Sequence, residues 1–91
     1  MKSAKQMERH FKGMSNHNRI NILLYVSKQN EATLEQISSN IKTNFKNISQ
    51  HTHRLVNAGL LNKKYQGLNV LHSLSPYGRE IVNFIKKFKK L

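Results

Sequence analysis

The sequence predicts a mainly α chain with one small β-hairpin, in the order α-α-α-α-β-β-α, over a single domain spanning all 91 residues. Three observations carry this expectation. Five segments repeat apolar residues at helical spacing and are punctuated by capping residues. Two short β-prone runs stand on either side of a glycine-containing turn. Two of the helices are joined by about three residues, the spacing of a helix-turn-helix.

The elements follow in order. Residues 1–12 carry Ala4, Met7 and Phe11 on one narrow apolar stripe, with Gly13 as the expected stop. Residues 16–28 form the second helix, with Ser15 or Asn16 at the N-cap. There Ile20, Leu23 and Leu24 face one way with Ile22, Tyr25 and Val26 beside them. A helix apolar over so much of its circumference is central to a core. The third opens with a capping box, Thr33-Leu34-Glu35-Gln36, buries Leu34, Ile37 and Ile41, and ends near Asn40. The fourth follows Lys42-Thr43-Asn44, with Asn44 as N-cap, and runs to about Ala58, where Gly59 closes it. The β-prone runs are Leu61–Tyr65 and Asn69–Ser73, and Gly67 between them can take a positive φ. Ser75-Pro76 opens the last helix as N-cap and N1. Its stripe is Ile81, Phe84, Ile85, Phe88 and Leu91, opposite Lys86, Lys87, Lys89 and Lys90.

Charge narrows the function. Sixteen Lys and Arg stand against four Glu and no Asp, giving a formal net charge of +12. Solubility asks for only about 2–8, and a field of this sign attracts polyanions. Nucleic acid is the first partner to consider and an anionic membrane surface the second. No apolar run approaches the ~20 residues of a membrane span, and the polar opening is unlike a signal peptide. A cytoplasmic, nucleoid-associated protein is therefore expected. The absence of cysteine removes disulfides and thiolate metal sites. Glu8, Glu31, Glu35 and Glu80 are scattered and pair into no acid/base site. The isolated glycines form no phosphate loop. Neither enzymatic activity nor a cofactor is expected.

The fourth helix is the most informative segment. Phe45, Ile48, Leu55 and Ala58 lie near one face, with Thr52 a polar exception whose hydroxyl can bond back to a helix carbonyl. The opposite face presents Lys46, Gln50, His53 and Asn57, flanked by Asn47 and Arg54, without an acidic residue. Cations suit phosphates, while Asn, Gln and Ser can read base edges. The first turns of a recognition helix reach deepest into the major groove. Lys46, Asn47, Ser49 and Gln50 are thus the expected base contacts, with His53 and Arg54 nearer the DNA backbone. Asn44, with Lys42 and Thr43 in the turn, completes this surface. The plainer alternative is a solvated polar helix face.

These residues also carry a family resemblance. From Ser15 to Pro76, about two-thirds of the chain, the sequence resembles the ArsR-type winged helix-turn-helix repressors. Asn18-Arg19-Ile20-Asn21-Ile22-Leu23 falls on that family's Thr-Arg-Leu-x-Ile-Leu opening. Asn47-Ile48-Ser49-Gln50-His51 falls on its Thr-Val-Ser-x-His signature, and Leu55-Val56-Asn57-Ala58-Gly59-Leu60 on its Leu-x-x-Ala-Gly-Leu helix exit. The junction Leu74 to Glu80 is similar to that of MarR-type and other winged-helix relatives. The resemblance implies that the hairpin is a wing along the DNA, with Lys63 and Lys64 at its base and Gln66, Leu68 and Asn69 near its tip. It also implies a homodimer pairing the first and last helices, through Ala4, Met7, Phe11, Ile81, Phe84, Ile85 and Phe88. Packing of these stripes within one chain is the alternative.

Metal sensing, common in the family, does not carry over. The usual thiolate site would lie within Leu34–Ile41, which has no Cys, and the last helix has neither His nor Asp. Five histidines remain, His10, His17, His51, His53 and His72. His51 and His53 sit two apart on a helix and point differently, so no ligand set of about four converges. His51 is expected to make a structural hydrogen bond and His72 to pack or touch backbone. The leading expectation is a homodimeric, sequence-specific regulator of double-stranded DNA, acting as a repressor, with no metal and no membrane partner. An architectural DNA-binding protein is the second reading, and a protein- or RNA-interaction module the third.

Overall fold

The computed structural model describes residues 1–91. It contains α1 (Ala4–Met14), α2 (His17–Gln29), β1 (Ala32–Thr33), α3 (Leu34–Asn40), α4 (Phe45–Asn57), β2 (Leu61–Gln66), β3 (Asn69–Leu74) and α5 (Pro76–Phe88). The five helices and the hairpin stand in the expected order, as a winged helix-turn-helix. Strand β1 is an addition. Two residues are too few to show a period of their own, and they become a strand only because β3 lies alongside, pairing Ala32 with His72 and Thr33 with Leu71. The sheet is antiparallel in the order β1-β3-β2. Between β2 and β3 the last pair is Gln66 with Asn69, so Gly67 and Leu68 alone make the turn. Gly67 has φ +63° and Leu68 does not share the positive sign, the pattern of a type II′ turn.

Side-chain caps set the helix starts. Thr33 and Gln36 form the expected capping box. Asn16 accepts from the amides of Asn18 and Arg19, Asn44 from Asn47, and Ser75 from Gly78 with Pro76 following. A second capping box, Ser3 with Gln6, starts α1 later than expected, at Ala4.

Gly13 is not a stop. Helix α1 runs through it to Met14, and a Cβ built on Gly13 would collide with the Cβ of Ala58. The glycine is there so that α1 can lie close against the end of α4.

The core is a cluster centred on α2, with contributions from β1, α3, α4, β2 and α5. It contains Ile22, Leu23 and Val26 of α2, Ala32, Ile37, Ile41, Ile48, Leu55, Leu60, Leu61, and Ile81 and Val82 of α5. Helix α2 touches α1, α3, α4, β3 and α5, the central place its apolar circumference foretold. Along α4 one end of the apolar stripe differs and its polar exception holds its place. Phe45 shares the apolar stripe but sits in the first turn, at the rim of the core, and stays 50% exposed. Thr52 sits mid-stripe and is buried at 2% exposure. At the other end of the chain α5 finishes at Phe88, so Leu91 lies off its stripe and is fully exposed.

His72 ties β3 to β1 within the sheet. It is 4% exposed, and its Nδ1 donates to the Ala32 carbonyl at 3.2 Å. Burial holds its pKa below the ordinary value of 6.5, and nearby Lys63 adds to this, while the Ala32 bond and Glu35 oppose it.

Two outcomes follow from this packing. Gly13→Ala should destabilise the protein by about 1–3 kcal/mol despite alanine's better helix propensity, because the added methyl overpacks the contact. Thermal melting reads this as a drop of roughly 4–8 °C per kcal/mol, and Ala58→Gly in the same chain should recover part of it. Because folding lowers the His72 pKa, the unfolded chain binds the proton more readily. That stabilisation is present above pH 6.5 and is lost as pH falls through the folded value. Melting at stepped pH should show this loss, with a smaller slope in His72→Gln.

Candidate nucleic-acid interface

The buried stripe Ile48, Thr52 and Leu55 turns the opposite face of α4 outward. Lys46, Asn47, Gln50, His53, Arg54 and Asn57 are exposed there and Ser49 is half-buried. Lys42 and Asn44 are exposed just ahead of them, and Thr43 is half-buried. Part of this polar surface is already engaged. The Asn44 side-chain oxygen accepts from the Asn47 amide at 2.9 Å, and Asn47 Nδ2 donates to Thr43 Oγ1 at 3.4 Å, so the turn and the first helical residues brace one another. Asn57 Nδ2 donates to His53 Nε2 at 3.1 Å. Lys46 and Gln50 make no such bonds and extend freely.

On the hairpin side of α4, Ser49, Gln50, His53 and Lys63 rim a hollow of about 270 Å³ with Thr52 and His72 beneath. Lys63 and Lys64 looked equivalent in sequence but are not. Strand alternation puts Lys63 beside α4 and Lys64 on the other face of the hairpin. Gln66, Leu68 and Asn69 are exposed at the tip, Leu68 completely. The Thr52 hydroxyl, expected to bond back to its helix, is buried without a protein partner.

The other side of α4 faces the start of α2. Arg19 Nη1 donates to His51 Nδ1 at 3.3 Å, the structural hydrogen bond expected of His51. Burial pushes the His51 pKa down, and the charges of Arg19, Arg54 and His17 push it further. The Arg19 pKa is lowered too, by burial and then by Arg54. Of sixteen Lys and Arg, only Lys12 lies within ion-pair distance of a carboxylate, 3.7 Å from Glu8. Arg19 and Arg9 did not stand out in the sequence as site residues. The available signal was a basic helix start, His17-Asn18-Arg19, in a chain with almost no acid to pair with it.

The far end of α4 is anchored by remote residues. Arg9 donates through Nε and Nη2 to the Asn57 carbonyl at 2.9 and 2.7 Å. His10 Nδ1 donates to the Ala58 carbonyl at 2.6 Å, and Ser75 Oγ to Gly59 at 2.6 Å. The Ser75 amide reaches the Leu60 carbonyl at 3.1 Å. His10 is buried and stacks on Tyr77, with ring centroids 4.7 Å apart.

The stripes on α1 and α5 divide. Ala4, Met7, Phe11, Phe84 and Phe88 are exposed, the last two stacked at 5.6 Å. Ile81 belongs to the chain's own core, and Ile85 is half-buried against it. No three His, Asp or Glu side chains come together as a metal-ligand set. No helix is long and apolar enough to cross a membrane.

Known proteins share this fold. The chain superimposes on HlyU from Vibrio cholerae with a TM-score of 0.85 at 22% identity, covering 97% of this chain and 96% of that one. The homodimeric winged helix-turn-helix DNA-binding domain of a Mycobacterium bovis protein matches with a TM-score of 0.84 at 18% identity, over 99% and 89% of the two chains. The transcriptional repressor PagR of Bacillus anthracis matches with a TM-score of 0.81 at 22% identity, over 89% and 93%. At such identities these likenesses speak for the fold. No curated protein sequence matches the chain. The sequence model of the bacterial regulatory protein arsR family matches residues 16–63, more than half of the chain. With the helix-turn-helix, the hairpin and the family match in agreement, this chain belongs to the ArsR family of winged helix-turn-helix transcription regulators.

Proposed function

We propose that the protein is a homodimeric, sequence-specific regulator of double-stranded DNA that represses by occupying a promoter and senses no metal. The observation that carries this is the outward face of α4, polar, cationic and free of carboxylate, beside a hairpin whose Lys63 lies along the same flank. Lys46, Asn47, Ser49 and Gln50 read base edges, and His53 and Arg54 meet the backbone. Asn44 serves mainly as the cap that orients Asn47, with Lys42 and Thr43 at the groove's edge. Lys63, Lys64, Gln66, Leu68 and Asn69 follow the strand beyond the major groove. The site of action is the nucleoid, and no cofactor is required.

The dimer reading is supported by exposed Ala4, Met7, Phe11, Phe84 and Phe88, with Ile85 at their edge, and by the M. bovis relative, which is homodimeric. Ile81 contributes by holding α5 to the core. A dimer would place two recognition helices roughly 34–36 Å apart, one DNA turn. A sequence without Cys, in which no three His or Glu side chains gather, supports a regulator without a metal. A net charge of +12 also favours a second reading, an architectural protein with little sequence preference.

A salt titration of binding to the DNA upstream of the protein's own gene, against random duplex, separates the two. A specific regulator prefers one site by about 10³–10⁷, whereas equal binding with a steep loss in salt establishes the architectural reading. Gln50→Ala should cost about 1–3 kcal/mol on the preferred site and little on random DNA; equal loss on both would remove Gln50 from base reading. Phe84→Glu should yield monomer in sedimentation and weaken operator binding, and an unchanged dimer would exclude the α5 stripe from the interface.

A further inference from the structure

A second basic hollow lies on the flank of α4 away from the hairpin. It holds about 320 Å³ between α1, the start of α2 and the end of α4, and Arg9, Lys12, Arg19 and Arg54 line it beside Asn57. No carboxylate lines it; the nearest acid in contact with the group is Glu8, at the outer side of Lys12. Two of the guanidinium groups are held in place. Arg9 is fastened by its two hydrogen bonds to the Asn57 carbonyl, and Arg19 by its hydrogen bond to His51. The Nε of Arg19 is buried with no partner in the protein. The Arg54 guanidinium makes neither an ion pair nor a hydrogen bond within the chain. Cations gathered this closely, one of them partly desolvated, repel one another until an anion sits between them. Forked guanidinium donors match the oxygens of a phosphate.

We propose that this hollow is a phosphate-binding site, filled in the DNA complex by the backbone of the strand that borders the major groove on the side opposite the hairpin. The proposal rests on the DNA-binding reading above. Arg54 lies seven residues from Asn47, on one line along α4, so the hollow continues the recognition face. A helix seated in a major groove roughly 12 Å wide has a phosphate strand on each side. The hairpin with Lys63 meets one, and Arg19, Arg54, Arg9 and Lys12 meet the other. The recognition helix is thereby gripped on both flanks, and α1 takes part in DNA binding as well as in the proposed dimer.

Two measurements test this. In the first, the salt dependence of binding is compared for the native chain, Arg54→Gln, Arg19→Gln and, as a control on a distant face, Lys86→Gln. Arg54 is exposed and its replacement leaves the core untouched, so the result does not hang on Arg19→Gln folding well. Each hollow variant should weaken preferred and random duplex alike and reduce the salt slope by about 0.9 for each phosphate it no longer neutralises, while Lys86→Gln changes neither. In the second, the His51 ring is followed by NMR as inorganic phosphate is added, against chloride at equal ionic strength. An anion between Arg19 and Arg54 offsets the charges that depress His51, so its titration midpoint should rise, and rise less in Arg54→Gln. Unchanged salt slopes with a phosphate-responsive His51 would overturn the DNA-backbone assignment and make the hollow a site for a small phosphorylated ligand. A His51 indifferent to phosphate would overturn the site itself. If the native chain binds no duplex, the DNA reading and the backbone assignment fall together, and the phosphate titration still decides whether the hollow binds the anion.

Discussion

A chain that leaves an α-helix must find new partners for its carbonyls, and in this protein the partners taken at the exit of α4 join the outer helices to it. Asn57, Ala58, Gly59 and Leu60 present four successive carbonyls at the exit of α4. Each is taken by a group far away in the chain: Arg9 and His10 from α1, and the hydroxyl and amide of Ser75 at the start of α5. The two outer helices are thus joined to α4 at one point, with Gly13 allowing the close contact and Tyr77 stacking on His10. Helices α1 and α5 hold the end of α4 through bonds of 2.6–3.1 Å. In the proposed dimer those same helices carry the exposed apolar residues. The surface that would set the spacing of two recognition helices is therefore rigidly connected to the helices it spaces.

Charge is distributed by scarcity of acid rather than by a single basic patch. With four Glu in the chain and one exposed ion pair, nearly every cation is left available. Surface pairs of that kind contribute little to stability, so the fold gives up little by lacking them. The consequence is plain around α4, where cations stand on both flanks and the outward face is neutral or basic throughout. Internal stability comes instead from the core centred on α2 and from caps that use Ser, Thr and Asn, residues that satisfy backbone amides without adding charge.

Local rules made most of the architecture legible. The Thr33–Gln36 capping box, Asn16, Asn44 and Ser75-Pro76 act within one turn, so four residues of sequence are enough to reveal them. The same holds for the hairpin, since Gly67 between two β-prone runs is a short-range signal, although β2 runs on to Gln66 and leaves a turn of two residues where the runs had left three. The outward polar face of α4 was legible for the related reason that helical periodicity alone decides which residues lie opposite Ile48 and Leu55.

What escaped reading depends on partners distant in sequence. Gly13 reads as a helix stop until Ala58, forty-five positions on, is found against it. Ala32 and Thr33 become a strand only when β3 arrives. Lys63 and Lys64 are neighbours in sequence and on opposite faces in space. Arg9 and Arg19 acquire a common site only where α1, α2 and α4 meet. The five helices, the hairpin, their order, the polarity of the outward face of α4 and the excess of positive charge can be read from the sequence alone, because each of these is set by spacing and composition within a few residues. Which glycine is a contact, which lysine lies beside α4 and which arginines converge emerge with the packed fold, because those are distances between segments, and no local pattern encodes them.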